Sequence, residues 1–194
     1  MPLFVRSEAQ VADAEYPLVT DPDAYEVYVT VLKSLTLRMP NEHLLVIVSE
    51  TTARVGCCEA ASTTTEWNDS LANFIDLNKH TWKLQSQLIP KQYQLVSERD
   101  LNSMFRMPPK SAGYQKQREA TIAGWSQFRT QFPESGGFLR LSTVGFDTTR
   151  NRAIVYVESV CGYQCGHGGL HYLERDAKGW HEAKSGGPWC AWIA

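Results

Sequence analysis

The sequence predicts an α+β domain, with helices packed on one face of a sheet and an antiparallel β-meander at the C-terminal end. Two observations carry that expectation. Apolar residues recur at helical spacing through the first two thirds of the chain, and from Phe138 onward they sit in strand-like runs joined by short Asp, Asn and Gly connectors.

Residues 1–20 show no period and read as a loosely ordered arm, leaving 21–194 as one domain. In "DPDAYEVYVTVLKSL", Asp21 can cap the free amides of a helix start and Pro22 suits its first position. Tyr28, Val31, Leu32 and Leu35 then form one buried stripe. "HLLVIVSETT" is a strand apolar on both faces, which places it inside a sheet. Thr63 and Glu66 have capping-box spacing ahead of a second helix that carries Trp67, Leu71, Phe74 and Ile75 as far as Asn78. "TWKLQSQLI" alternates Trp82, Leu84, Ser86 and Leu88 on one face of a strand, and "YQLVS" continues or re-enters the sheet after Pro90.

Ser97 with Asp100 opens a short helix bearing Leu101, Met104 and Phe105, which "RMPPKSAGY" ends. Ile122, Trp125, Phe128 and Phe132 space a further helix over 115–132. Four strand segments follow: Phe138 to Phe146, Arg152 to Val160, Leu170 to Arg175, and Trp180 to Ile193 with a break at "SGGP". "DTTRN" and "DAKG" have the turn chemistry of antiparallel hairpins. No repeat of fixed period and no low-complexity tract is visible.

The totals narrow the function classes. A chain of 194 residues, 43% hydrophobic and 21% charged, suits one globular domain with a real core. Nineteen basic against twenty-one acidic side chains, with no Lys/Arg run, do not suggest a nucleic-acid partner. The longest apolar run, "LLVIV", is far short of the roughly 18 residues that span a bilayer, so no transmembrane segment is expected. The start "MPLFVRSEAQVADAE" does not read as a secretory signal. The chain is therefore cytoplasmic as written, or belongs to the cell envelope or exterior if a leader has been removed. Five cysteines, Cys57, Cys58, Cys161, Cys165 and Cys190, leave at least one without an intrachain disulfide partner. No P-loop, G-x-S-x-G elbow, H-E-x-x-H or dinucleotide fingerprint is present.

The stretch "ESVCGYQCGHGGLHYLE" concentrates the suggestive chemistry. Cys161, Cys165, His167 and His171 have the number and type of ligands that tetrahedral zinc takes, but only Gly166 separates the second cysteine from the first histidine. Cys161 and Cys165 also flank a three-residue connector between strands, where their Cα atoms can fall within the roughly 4.4–6.8 Å a disulfide requires. A third reading is a glycine-rich hairpin in which Gly162, Gly166, Gly168 and Gly169 supply positive φ and the thiols are small hydrophobes. A thiol nucleophile with His167 or His171 as base is a fourth, though no helix start follows to lower a cysteine pKa. Cys57 and Cys58 are adjacent, and either can pair with Cys190. In "GGPWCAWIA", Trp189 and Trp192 fall on opposite strand faces, so one of them is open to a ligand or partner unless both faces are covered.

The segments "TVGF", "RAIVYVESVCGYQCGHGGLHYLERDAKGW" and "WCAWIA" resemble the C-terminal half of a family of small bacterial α+β proteins without an assigned activity. The matching positions are Val144, Gly145 and Phe146; Val155, Tyr156 and Val157; Cys161, Gly162, Cys165, Gly166 and Gly168; Tyr172, Leu173, Gly179, Trp180 and Trp192. The resemblance covers residues 124–194 and implies a fold, with no catalytic residues to transfer. Many members look exported or lipid-anchored, which implies an oxidised cysteine pair. His167 and His171 stand outside the family pattern.

The sequence therefore leads to a non-catalytic binding or interaction module for a protein or small-molecule ligand, with no cofactor. The alternative is a small hydrolase using thiol or zinc chemistry at the Cys161–His171 hairpin.

Overall fold

The structure, a computed structural model, describes residues 16–38, 45–52, 65–90, 92–184 and 191–193. Most of the arm, the Thr63 cap, Cys57, Cys58, Trp189, Cys190 and the "SGGP" break lie outside those residues.

The helices are α1 (Pro22–Arg38), α2 (Asn68–Leu77), α3 (Glu98–Met104) and α4 (Tyr114–Gln131). The strands are β1 (Leu45–Val48), β2 (Tyr93–Val96), β3 (Phe138–Leu141), β4 (Gly145–Phe146), β5 (Arg152–Gly162), β6 (Cys165–Asp176), β7 (Gly179–Glu182) and β8 (Ala191–Ile193). All eight join one mixed sheet in the order β2-β1-β3-β5-β6-β7, with β4 on β5 and β8 on β6. β2, β1 and β3 are parallel. β3, β5, β6 and β7 lie antiparallel in chain order. β8 continues the line of β7 along the same edge of β6, so the last expected strand is two short ones on one track.

Local chemistry explains the element starts. The Asp21 carboxylate accepts from the Asp23 N–H at 3.0 Å, and Ser97 Oγ accepts from the Asp100 N–H at 3.0 Å. Val27, Tyr28, Val31, Leu32 and Leu35 of α1 are all buried.

Helices cover both faces of the sheet, which corrects the expectation of a single covered face. The α1 stripe packs on Leu45, Ile47, Leu139, Leu141, Val155, Val157 and Leu173. On the opposite face, α2 and the turn before it set Trp67, Leu71 and Phe74 on Ile154, Tyr156 and Tyr172. Beside them, α3 and α4 set Leu101, Met104, Trp125 and Phe128 on Val46, Val48 and Phe138. The physical reason is in the strands: β1 is buried at every position, and β5 buries the unbroken run Ala153 to Val157. Strands apolar on both sides need cover on both sides. At Gly145 the helix α2 comes so close that a Cβ would lie 2.4 Å from the Phe74 backbone.

Two further expectations change. "TWKLQSQLI" is not a strand of alternating faces: Lys83 makes isolated bridges to Leu18 and Glu50, and Ser86–Leu88 is a 3-10 turn. Leu18 and Val19 are not loose, since the Val19 N–H donates to the Lys83 carbonyl and the Tyr25 hydroxyl donates to the Val19 carbonyl, both at 2.9 Å.

Candidate functional site

The cysteine stretch is the tip of the longest hairpin in the sheet. β6 begins at Cys165, five residues before the expected start at Leu170, and the turn is only Tyr163–Gln164 because Gly162 pairs with Cys165. The register shifts between Val160 and Gly162, which places Cys161 at the irregularity. The structure brings the Sγ atoms of Cys161 and Cys165 into bonding contact, with Cα atoms 5.0 Å apart.

The four candidate metal ligands are not gathered. Cys165, His167 and His171 follow one face of β6, and the two histidines, four residues apart, are separated by about 13 Å at strand rise. His171 Nδ1 lies 3.2 Å from Glu182 Oε1 on the neighbouring strand, while His167 is exposed. Among the described residues, no group of three His, Cys, Asp or Glu side chains is placed to hold a metal ion.

The glycines are present for a reason other than positive φ, which none of Gly162, Gly166, Gly168 and Gly169 adopts. Two of them, Gly166 and Gly168, make room for Trp192. The Trp192 indole lies over β6 and donates its Nε1–H to the Tyr156 hydroxyl at 2.6 Å. A Cβ on Gly168 would meet Tyr156 Oη at 2.4 Å and Trp192 Nε1 at 2.6 Å, and one on Gly166 would meet the indole ring at 3.0 Å. Burial holds the Tyr156 phenol above its usual pKa. Of the two expected contact tryptophans, Trp192 is therefore half-buried and bonded inward, while Ile193 beside it is 87% exposed.

The tip also touches α4, a contact that the sequence reading missed. The Tyr163 hydroxyl donates to the Tyr114 hydroxyl at 2.6 Å, and the Arg118 guanidinium sits 6.0 Å from the Tyr163 ring centre. That hydrogen bond pushes the Tyr163 phenol above its ordinary pKa. Met107 joins the same surface through its sulfur, 3.6 Å from Thr121 Oγ1. Tyr114, Met107 and Ile122 are 67%, 52% and 50% exposed, far more than isolated core residues would be. Arg106, Lys110, Lys116 and Arg118 belong to the same segment, all exposed, and residues 102–118 contain no acidic side chain. A count of charge along that segment is the signal that would have found it. The Tyr114–Tyr163 pairing has no such signal, because it depends on where the hairpin tip lands.

A second polar constellation sits at the β4–β5 turn. Arg150 Nε donates to Asp23 at 2.9 Å and Nη2 to Asp21 at 2.6 Å, with the guanidinium 4.2 Å above the Phe146 ring. The Asp21 hydrogen bond leads in holding this guanidinium above its ordinary pKa.

Compared with protein-family models, curated proteins and solved structures, the chain matches none. No helix among the described residues is long and apolar enough to cross a membrane.

Proposed function

We propose that the protein is a non-catalytic interaction module that binds an acidic surface of a protein partner through the tyrosine and cation face around the β5–β6 tip. The carrying observation is the Tyr163–Tyr114 pair, exposed and fixed at 2.6 Å with Arg118 beside it, in a segment whose four cations have no ion-pair partner among the described residues. Tyr, Met and Arg are the residue types enriched at protein interfaces, and an unbalanced cationic rim steers acidic partners and rejects basic ones. A Cys161–Cys165 disulfide would stiffen the tip and lower the ordering cost of binding. Bonded thiols would also remove the nucleophile that the thiol form of the hydrolase alternative requires. The positions that resemble the small bacterial family, Cys161, Gly162, Cys165, Gly166, Gly168 and Trp192, lie in the hairpin or on its edge strand, so the resemblance favours a common architecture over a common reaction.

The test is a titration of the labelled protein with an acidic peptide of mixed Asp, Glu and Leu, followed by NMR. Shifts concentrated on Tyr114, Arg118 and Tyr163, weakening as salt rises and lost in Tyr163→Ala, are expected. Shifts elsewhere, or stronger binding to a single-stranded oligonucleotide than to the peptide, would overturn the reading.

A further inference from the structure

A cleft of about 290 Å³ opens between the start of α1, the end of α2 and the β3–β4 turn, near the lower end of small-molecule site volumes. It shares no residue with the tyrosine face, and its position follows from the topology. The chain leaves β1 for β2 on one side and, after α3 and α4, returns as β3 on the other. Open parallel sheets place ligands beyond the carboxyl ends of strands at such an order reversal. Val144 follows β3 into the cleft, and Trp82 is held there by its backbone N–H, which donates to Thr51 Oγ1 at 2.9 Å just past β1.

Leu77, Trp82, Val144 and Phe146 give the walls an apolar part, Thr20, Asn73 and Thr143 a polar one, and half-exposed Leu18 stands at the mouth. Arg150 supplies the directional group. Its backbone has φ +56°, the one non-glycine residue among those described in that region, and such outliers persist where the surroundings hold a side chain to a task. Nε and Nη2 are taken by Asp23 and Asp21, whereas Nη1 donates to nothing among the described residues. Asp21 and Arg150 are the two charged residues of the lining and they pair with each other, while Asp23, Arg175 and Glu26 extend the network away from the cleft.

We propose that this cleft binds a small neutral molecule with an apolar body and a carbonyl oxygen that accepts from Arg150 Nη1. An added carboxylate would meet Asp21 and Asp23, and an added ammonium would meet Arg150. A neutral acceptor incurs neither repulsion and still takes a charge-assisted hydrogen bond.

Three probes of similar size and different charge test this: acetanilide, phenylacetate and phenethylammonium, each titrated at millimolar concentration against the labelled chain. Acetanilide should shift the Trp82 indole resonance, identified by its loss in Trp82→Phe, and bind about tenfold more tightly than either ion. Arg150→Leu should erase that preference, and Leu18→Trp, which fills the exposed mouth without touching the core, should abolish binding. If Arg150→Leu fails to fold, the Leu18→Trp result and the ranking of the probes decide. Equal binding of all three probes, no shift at Trp82, or unaltered binding in Leu18→Trp would each overturn the assignment. None of these outcomes bears on the acidic-peptide reading of the tyrosine face.

Discussion

Trp192 on β8 and Tyr156 on β5 are joined by a 2.6 Å hydrogen bond that passes over the intervening strand β6 at Gly168. The edge strand is thereby tied to the middle of the sheet by side chains as well as by its own ladder. Tyr156→Phe and Trp192→Phe should each cost about 1 kcal/mol, and the double variant should cost less than their sum by about 0.5–1.5 kcal/mol. Denaturant melts of the four proteins measure the coupling. Strict additivity would show that the bond contributes nothing.

Gly168→Ala should be more damaging than either, by about 1–3 kcal/mol, since its Cβ would overlap both bonded groups. Gly166→Ala, whose Cβ meets the far ring of Trp192 at 3.0 Å and the Ser159 carbonyl at 3.1 Å, should cost less. The order of the two melting temperatures checks this, and a reversed order would contradict the packing described.

The cysteine pair predicts a mass result and a stability result. Intact mass under non-reducing conditions should show two hydrogens lost between Cys161 and Cys165, whose Cα atoms stand 5.0 Å apart. Replacing both by serine should leave the fold intact and lower stability by about 2 kcal/mol, the chain-entropy value for so small a loop. Global unfolding of the double serine variant would mean that the tip is indispensable to the domain.

Asp147 gives the pH prediction. Partial burial pushes its carboxyl upward, but hydrogen bonds from Thr149 Oγ1 and from the Arg152 and Asn151 N–H groups prevail, and its pKa falls below the ordinary value. A depressed folded pKa contributes stability that is present above the unfolded value near 4 and is lost as pH falls through the folded one. Asp147→Asn should therefore flatten the acid end of the stability curve, below about pH 4. Urea melts across that window read the slope, and an unchanged slope would remove Asp147 from the acid response.

Much of the fold is legible in local chemistry. The α1 stripe, the Ser97 cap and the interior strand β1 follow from residue spacing alone, because each is decided by neighbours a few positions away. The covering of both faces was implicit in the unbroken apolar run of β5 but was masked by the turn-rich reading of the last third. Of the candidate site, the cysteine contact was foreseeable from spacing, whereas the role of the glycines was not. Glycine in a strand announces a close approach without saying what approaches, and Trp192 lies more than twenty residues further along the chain. The tyrosine face and the cleft at Arg150 depend on long-range juxtaposition that no local pattern encodes.

The sheet order also fixes a sequence of events in time. Residues paired across the β5–β6 turn are close along the chain, whereas Val46 must find Phe138 across the whole helical region. Closing that long loop carries the larger entropic cost before any contact rewards it. The hairpin should therefore be present early in folding, with β1 docking last, after the rate-limiting barrier has been crossed. Core truncations in β5, such as Val155→Ala, should then slow refolding, and Val46→Ala should mainly speed unfolding.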